Sequence, residues 1–135
     1  MLQSLAFVQL QKALYSALTA DGGITGAVYD EVPENSSFPY TCFSEMRAVP
    51  FEARGVNGMA ILVILETYSR KAGGNAECQG IQKEIVETVM AASLAMTNFW
   101  EVMKRVEQVS IEKKKEEPGL SYLGITSFTI TVQKK

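Results

Sequence analysis

Residues able to carry out bond chemistry are scarce in this chain. No histidine occurs among its 135 residues. That removes Ser-His-Asp and Cys-His nucleophilic catalysis, imidazole acid–base chemistry and every metal site with a histidine ligand. Cys42 and Cys78 are too few for a zinc site built from four cysteines and do not stand in CxxC spacing. They read as buried, reduced thiols rather than as a disulfide. The carboxylate pairs Asp30-Glu31 and Glu116-Glu117 are adjacent and loop-borne, whereas a glycosidase-type pair must face across a cleft. Two cationic clusters remain. Arg70-Lys71-Ala72-Gly73-Gly74 lies between an expected strand and the start of an expected helix. Free backbone N–H groups and the helix dipole can hold a phosphorylated ligand at such a turn. No Gly-Lys-Ser/Thr follows, so it is not a Walker A loop. It reads either as a small binding module's ligand turn or as a tight turn with surface charges. Lys113-Lys114-Lys115, followed by Glu116-Glu117, is the densest charge run. It reads as a solvated hairpin tip or as a contact for a partner. With two carboxylates beside it and no interleaved aromatics, it makes only a weak footprint for nucleic-acid contact, and the solvated turn is the favoured reading.

The elements that must position these groups follow from hydrophobic spacing. Leu10, Ala13, Leu14, Ala17 and Leu18 fall at i, i+3, i+4, i+7 and i+8, and Phe7 extends the stripe. The spacing predicts an amphipathic helix over 2–18, ended by Asp21-Gly22-Gly23. Residues 24–39 are rich in breakers, including Pro33, Asn35, Ser36, Ser37 and Pro39, with a short extended stretch at Ala27-Val28-Tyr29. A modest strand is expected over 40–46. Residues 47–58 read as a connection containing Pro50, Gly55 and the turn signal Asn57-Gly58. The run Ile61-Leu62-Val63-Ile64-Leu65 marks a central strand over 59–69. Asn75 then reads as an N-cap with Glu77 in the first turn. The helix it opens spans 76–95, burying Cys78, Ile81, Ile85, Val89, Ala92 and Met96 and wetting Gln82, Lys83, Glu84 and Glu87. Residues 99–106 suit helix or strand, and 106–112 a strand. Residues 113–119 read as a charged turn. The last strand, 120–133, points Phe128, Ile130 and Val132 one way. Met90, Met96 and Met103 read as core filler, and Trp100 as a core or interface residue.

The expected fold class is α+β in the order helix-strand-strand-helix-strand-strand. It is an antiparallel four-stranded sheet with two helices on one face, forming a single domain over 1–135. A chain of this length buries roughly two-thirds of its unfolded surface and needs no metal or disulfide to hold a core. With 47% hydrophobic and 21% charged residues it is globular in composition. A net charge of −2 gives no bulk attraction for nucleic acid or anionic lipid. The first residues lack a cationic signal-peptide start, and the apolar run 59–65 is too short to span a bilayer. The expected place of synthesis is the cytoplasm. Asn35-Ser36-Ser37 fits a glycosylation sequon but reads as a polar loop. Bare sheet edges left by this architecture invite pairing with another chain.

Three segments, taken in order, resemble one known family. They are Val28-Tyr29-Asp30-Glu31-Val32-Pro33 running on to Phe38-Pro39-Tyr40; Leu65-Glu66-Thr67-Tyr68-Ser69-Arg70 with Gly73-Gly74 and the helix from Ile81 to Ile85; and Gly124-Ile125-Thr126-Ser127-Phe128-Thr129-Ile130-Thr131-Val132. The pattern resembles the tail-completion, or tail-terminator, proteins of long-tailed phages, prophages and gene-transfer particles. The stretch 97–115 departs from it in being long and charged. The resemblance implies a virion structural protein with no catalytic residue and no cofactor. It implies a homo-oligomeric ring, usually hexameric, that caps the head-proximal end of the tail tube and joins tail to head. Its implied partners are the tail tube protein and head-completion or connector proteins, with no membrane and no sequence-specific nucleic acid. The hairpin over 113–119 and the loop over 48–58 are expected to project toward those partners.

Overall fold

The computed structural model describes residues 2–20, 23–53, 56–70, 75–116 and 119–135. The elements are α1 (Leu2–Thr19), β1 (Ala27–Tyr29), β2 (Tyr40–Ala53), β3 (Val56–Ser69), α2 (Ala76–Ala91), β4 (Phe99–Glu116) and β5 (Gly119–Lys134). The strands form a five-stranded sheet in the order β1-β2-β3-β5-β4. β1 runs parallel to β2, and every other neighbouring pair is antiparallel. The expected sheet has four strands, all antiparallel. The difference is β1, whose short stretch follows a helix and returns alongside β2 rather than forming a hairpin with it.

The pleat sorts the sheet into two faces. One face carries Ile61, Val63 and Leu65 of β3 beside Ile130, Phe128 and Thr126 of β5, all at 0% exposure. Both helices close over it. From α1 come Ala6, Leu10, Leu14 and Leu18, spaced one helical turn apart, and from α2 come Ile81, Ile85 and Val89. Each fully buried side chain of this kind contributes about 1.5–3 kcal/mol of transfer free energy. α1 packs against β1 and α2, while α2 packs against β3, β4 and β5. The helices therefore divide the sheet between them, α1 toward the β1 edge and α2 toward β4.

α2 is locked down by a residue that its polarity places in water. Gln82 is buried at 2% exposure. Its Nε2 donates to Ser110 O at 2.9 Å, with Ile125 O and Thr126 Oγ1 each at 3.3 Å. The helix can approach this closely because residue 124 is glycine. A Cβ there would stand 2.7 Å from Cys78 Sγ and 2.8 Å from Gln82 Nε2.

Other expectations are corrected by register. Residues 47–58 are not a loop, because β2 and β3 form one long hairpin in which Pro50 pairs with Met59 and Glu52 with Asn57. Proline is tolerated because β2 has no other strand along this part of its outer side, so its missing N–H breaks no ladder there. Residues 99–106 are strand throughout. Met103 and Met90 are exposed rather than core, whereas Met96 is buried. α2 stops at Ala91, short of the expected 95, as Ala92 turns extended at ψ 143°. Asn75 sits at the N-cap without a side-chain capping bond. Its Oδ1 instead accepts from Gln79 at 3.1 Å, and Glu77 accepts from Ser69 Oγ at 2.7 Å. Asp21 and Gly22 lie outside the described residues; Gly23 N–H donates to Ala20 O at 2.8 Å just after α1.

Candidate functional site

The sheet face opposite the helices is a grid of side chains set by register. One row runs Val49, Ala60, Thr131, Met103 across β2, β3, β5 and β4. The next runs Arg47, Leu62, Thr129, Arg105, followed by Glu45, Ile64, Ser127, Gln108. Val49, Met103 and the neighbouring Trp100 and Val102 are large hydrophobics with half or more of their surface exposed. Trp100 is partly shielded by Lys135, whose Nζ lies 4.4 Å from the ring centroid. The charges on this face are matched locally, Arg47 with Glu45 and Arg105 with Glu107. Solvated pairs of this kind add little to stability.

An aromatic corner closes one end of the same face. Tyr40 stacks on Tyr68 with centroids 5.1 Å apart, and Tyr29 and Phe38 tilt against Tyr40 at 5.9 and 5.4 Å. Arg70 lies over the Phe38 ring at 4.5 Å. Tyr68 OH donates to Glu66 at 3.1 Å, and burial beside that carboxylate raises the phenol's pKa. Burial, reinforced by Glu66, pushes the Cys42 thiol up to about 11. Burial, reinforced by Glu77, does the same for Cys78. Both thiols are free and buried, hence protonated at neutral pH and inert.

Of the cations singled out in the sequence, Arg70 and the lysines of β4 lie toward one end of the sheet. Register places Ser69 beside Tyr122 and Tyr122 beside Lys113, so Arg70 and Lys113 lie near the same sheet end. Lys71, Gly73 and Gly74 lie outside the described residues. The three lysines are not a turn. Lys113, Lys114 and Lys115 are in β4, paired with Tyr122, Ser121 and Leu120, and the pleat sends consecutive residues to opposite faces. Of the turn expected over 113–119, residues 113–116 and 119 are strand, and 117 and 118 lie outside the described residues.

β4 is the outer strand on its side, 18 residues long. Two register shifts interrupt it, between Glu101 and Met103 and between Val106 and Gln108. Between them, Lys104 turns inward at 8% side-chain exposure. Its ammonium donates to Ala92 O and lies 3.4 Å from Glu101, which also accepts Leu94 N–H at 3.0 Å. On the other side of the sheet β1 covers only Tyr40 to Cys42, and among the described residues no strand lies along the outer side of β2 from Phe43 onward. Bare edges are expected from the architecture, but spacing does not reveal their length, because β2 and β4 carry the turn-forming and charged residues that usually mark loops.

Among the described residues there is no cluster of three or more His, Cys, Asp or Glu able to hold a metal ion. No helix there is long and apolar enough to cross a membrane. The described residues present open strand edges, an uncovered sheet face and exposed hydrophobics on both.

The chain belongs to the family described as tail completion protein gp17, matching it over residues 12–131, from within α1 to near the end of β5. It is a phage structural component by family, of a kind not usually enzymatic. Among solved structures, the fold is similar to that of a chain in the virion of a native gene transfer agent (GTA) particle. The TM-score is 0.75 at 16% identity, covering 91% of this chain and 94% of that one. No curated protein matches the sequence.

Proposed function

We propose that this protein is the subunit of a homo-oligomeric ring, hexameric when assembled, that caps the head-proximal end of a phage tail tube and joins tail to head. Capping halts tube growth and offers a surface to head-completion or connector proteins. The protein works in the virion after assembly in the host cytoplasm, without catalysis or cofactor. The observation that carries this reading is the pair of open edges: the full length of β4 on one side and the outer side of β2 beyond Cys42 on the other. Two different edges on one subunit suit a heterologous interface, which closes into a ring when the rotation between copies is right. Backbone groups on open edges are the usual means of adding a neighbour's strand.

Arg70, Lys71, Lys113, Lys114 and Lys115 are the proposed contacts to acidic surfaces of tube or neck partners. Register brings Arg70 and Lys113 toward one end of the sheet. The virion setting of the similar gene transfer agent chain supports the assembly role. A mildly acidic subunit also suits a DNA passage, since phosphate neutralisation dominates non-specific DNA affinity. Light scattering and negative-stain imaging of the protein, alone and with tail tubes, test the reading. A discrete annulus, free or seated on tube ends, is the expected result. A protein that stays monomeric and ignores tubes overturns it.

A further inference from the structure

The helix layer covers β4 only in part. Between α2 and β4 lies a groove of about 550 Å³. Val86, Val109 and Ile111 supply its apolar surface, Gln82 sits at its base, and Lys83 and Glu87 stand on its rim. Val109 points to the helix side of the sheet yet is 51% exposed. An apolar residue on the core face with nothing over it marks the place where the two-layer packing is unfinished.

The opposite edge of the molecule carries the matching part. α1 has a second stripe, away from its buried one, formed by Val8, Lys12 and Tyr15 at i, i+4 and i+7. Val8 and Tyr15 are 51% and 45% exposed. Lys12 and Asp30 line the same concavity on this surface. We propose that the α2–β4 groove seats the Val8–Lys12–Tyr15 stripe of α1 from a second copy of this chain.

Three features select that occupant. First, α1 lies toward the β1 edge and α2 toward the β4 edge, so a copy placed edge to edge brings its α1 to the uncovered groove. Second, the heights agree. One register row runs Tyr29, Cys42, Glu66, Ile125, Ser110, from β1 at one edge to the groove's own residue at the other. β1 also runs antiparallel to β4, through the chain of pairings between them, so a copy repeated in the same orientation presents the polarity of an antiparallel ladder. Third, the rims carry opposite charges to exchange, Lys12 toward Glu87 and Asp30 toward Lys83. The Lys83–Glu87 contact within one copy is long, 3.7 Å, and solvated, so little is lost by re-pairing. The regular part of β4 beyond its second register shift faces this groove.

The proposal rests on the ring reading, and the experiment separates the two. Tyr15→Cys and Val109→Cys are introduced singly and together, and assembly of the wild-type chain, alone and with tail tubes, is followed by mass photometry. Under mild oxidation the double variant is expected to give a ladder of linked species beyond the dimer, and a mixture of the single variants dimers only. A control pair, Val49→Cys with Val109→Cys, gives no ladder. Glu87→Lys should raise the concentration for half-assembly about tenfold, and Lys12→Glu in the same chain should restore it. A wild-type assembly whose Tyr15–Val109 variant fails to cross-link overturns the docking while leaving the ring intact. A double variant that stops at dimers overturns both, as does a wild-type chain that never assembles.

Discussion

Gly124→Ala tests the clamp between α2 and the β4–β5 hairpin. The new methyl would lie 2.7 Å from Cys78 Sγ and 2.8 and 2.9 Å from Gln82 Nε2 and Cδ. Cys78 is 0% exposed, and Gln82, though it borders the α2–β4 groove, is held by its bonds to Ser110 O, Ile125 O and Thr126 Oγ1. Overpacking of a full core costs about 1–3 kcal/mol. Displacing Gln82 also weakens its bonds to Ser110 O and Ile125 O, for about 1 kcal/mol more. The expected loss is about 2–4 kcal/mol, a fall in Tm of about 6–15 °C for a chain of this size. Urea denaturation followed by circular dichroism reads it directly. Cys78→Ala removes the nearest atom, so the Gly124→Ala, Cys78→Ala double variant should recover about 1 kcal/mol relative to the sum of the singles. A Gly124→Ala protein within about 0.5 kcal/mol of wild type, or a cycle with zero coupling, would refute the claim that this glycine exists to admit the helix.

Gly80, by contrast, lies in α2 with nothing within 4 Å of a Cβ, so Gly80→Ala should stabilise by up to about 1 kcal/mol in the same assay. Glu101→Ala leaves the inward Lys104 ammonium with Ala92 O as its remaining named partner, and should cost about 3 kcal/mol, more than Lys104→Met; equal losses would contradict the burial argument. With thiol pKa values of about 11 against an ordinary 9.0, alkylation by iodoacetamide at pH 8 should be about a hundredfold slower in the native protein than in urea. The same raised values mean that stability is intact below pH 9 and falls as pH rises toward and through 11, because the unfolded chain ionises first. Replacing both cysteines with alanine should flatten that slope in urea titrations between about pH 8 and 10.5. Val49→Thr with Met103→Gln should leave Tm within about 2 °C of wild type, because both side chains are exposed, yet weaken assembly measured by light scattering if the uncovered face is used.

Both helices, β3 and β5 are legible because their burial repeats at helical or strand period. Leu10, Leu14 and Leu18, or Phe128, Ile130 and Val132, carry their own geometry in their spacing. The outer strands lack that signal. β4 has one neighbour and one open side, so it can carry an exposed Lys113 and a half-buried Lys114, and composition alone reads the run Lys113-Lys114-Lys115 as a turn. Pro50 misleads for the same reason, since an outer strand tolerates a missing donor, whereas Asn57-Gly58 belongs to central β3, paired with Glu52 and Phe51. Gln82 fails differently. It stands four residues after Cys78, on the buried stripe, but an amide is admitted to a core only where acceptors wait for it, and those come from Ser110, Ile125 and Thr126, distant in sequence. The cationic end of the sheet is half visible: the residue types stand out, but that Arg70 and Lys113 lie near one sheet end depends on the pairing of β3, β5 and β4.

The two register shifts in β4 and the lysine turned inward between them have a further consequence. A long, flat, uninterrupted border would recruit identical strands without end and drive the free polypeptide into fibrils. Kinks and a buried charge spoil that template over its first half while leaving the remainder regular. That strand border is therefore a poorer seed for fibril growth than a straight one of the same length.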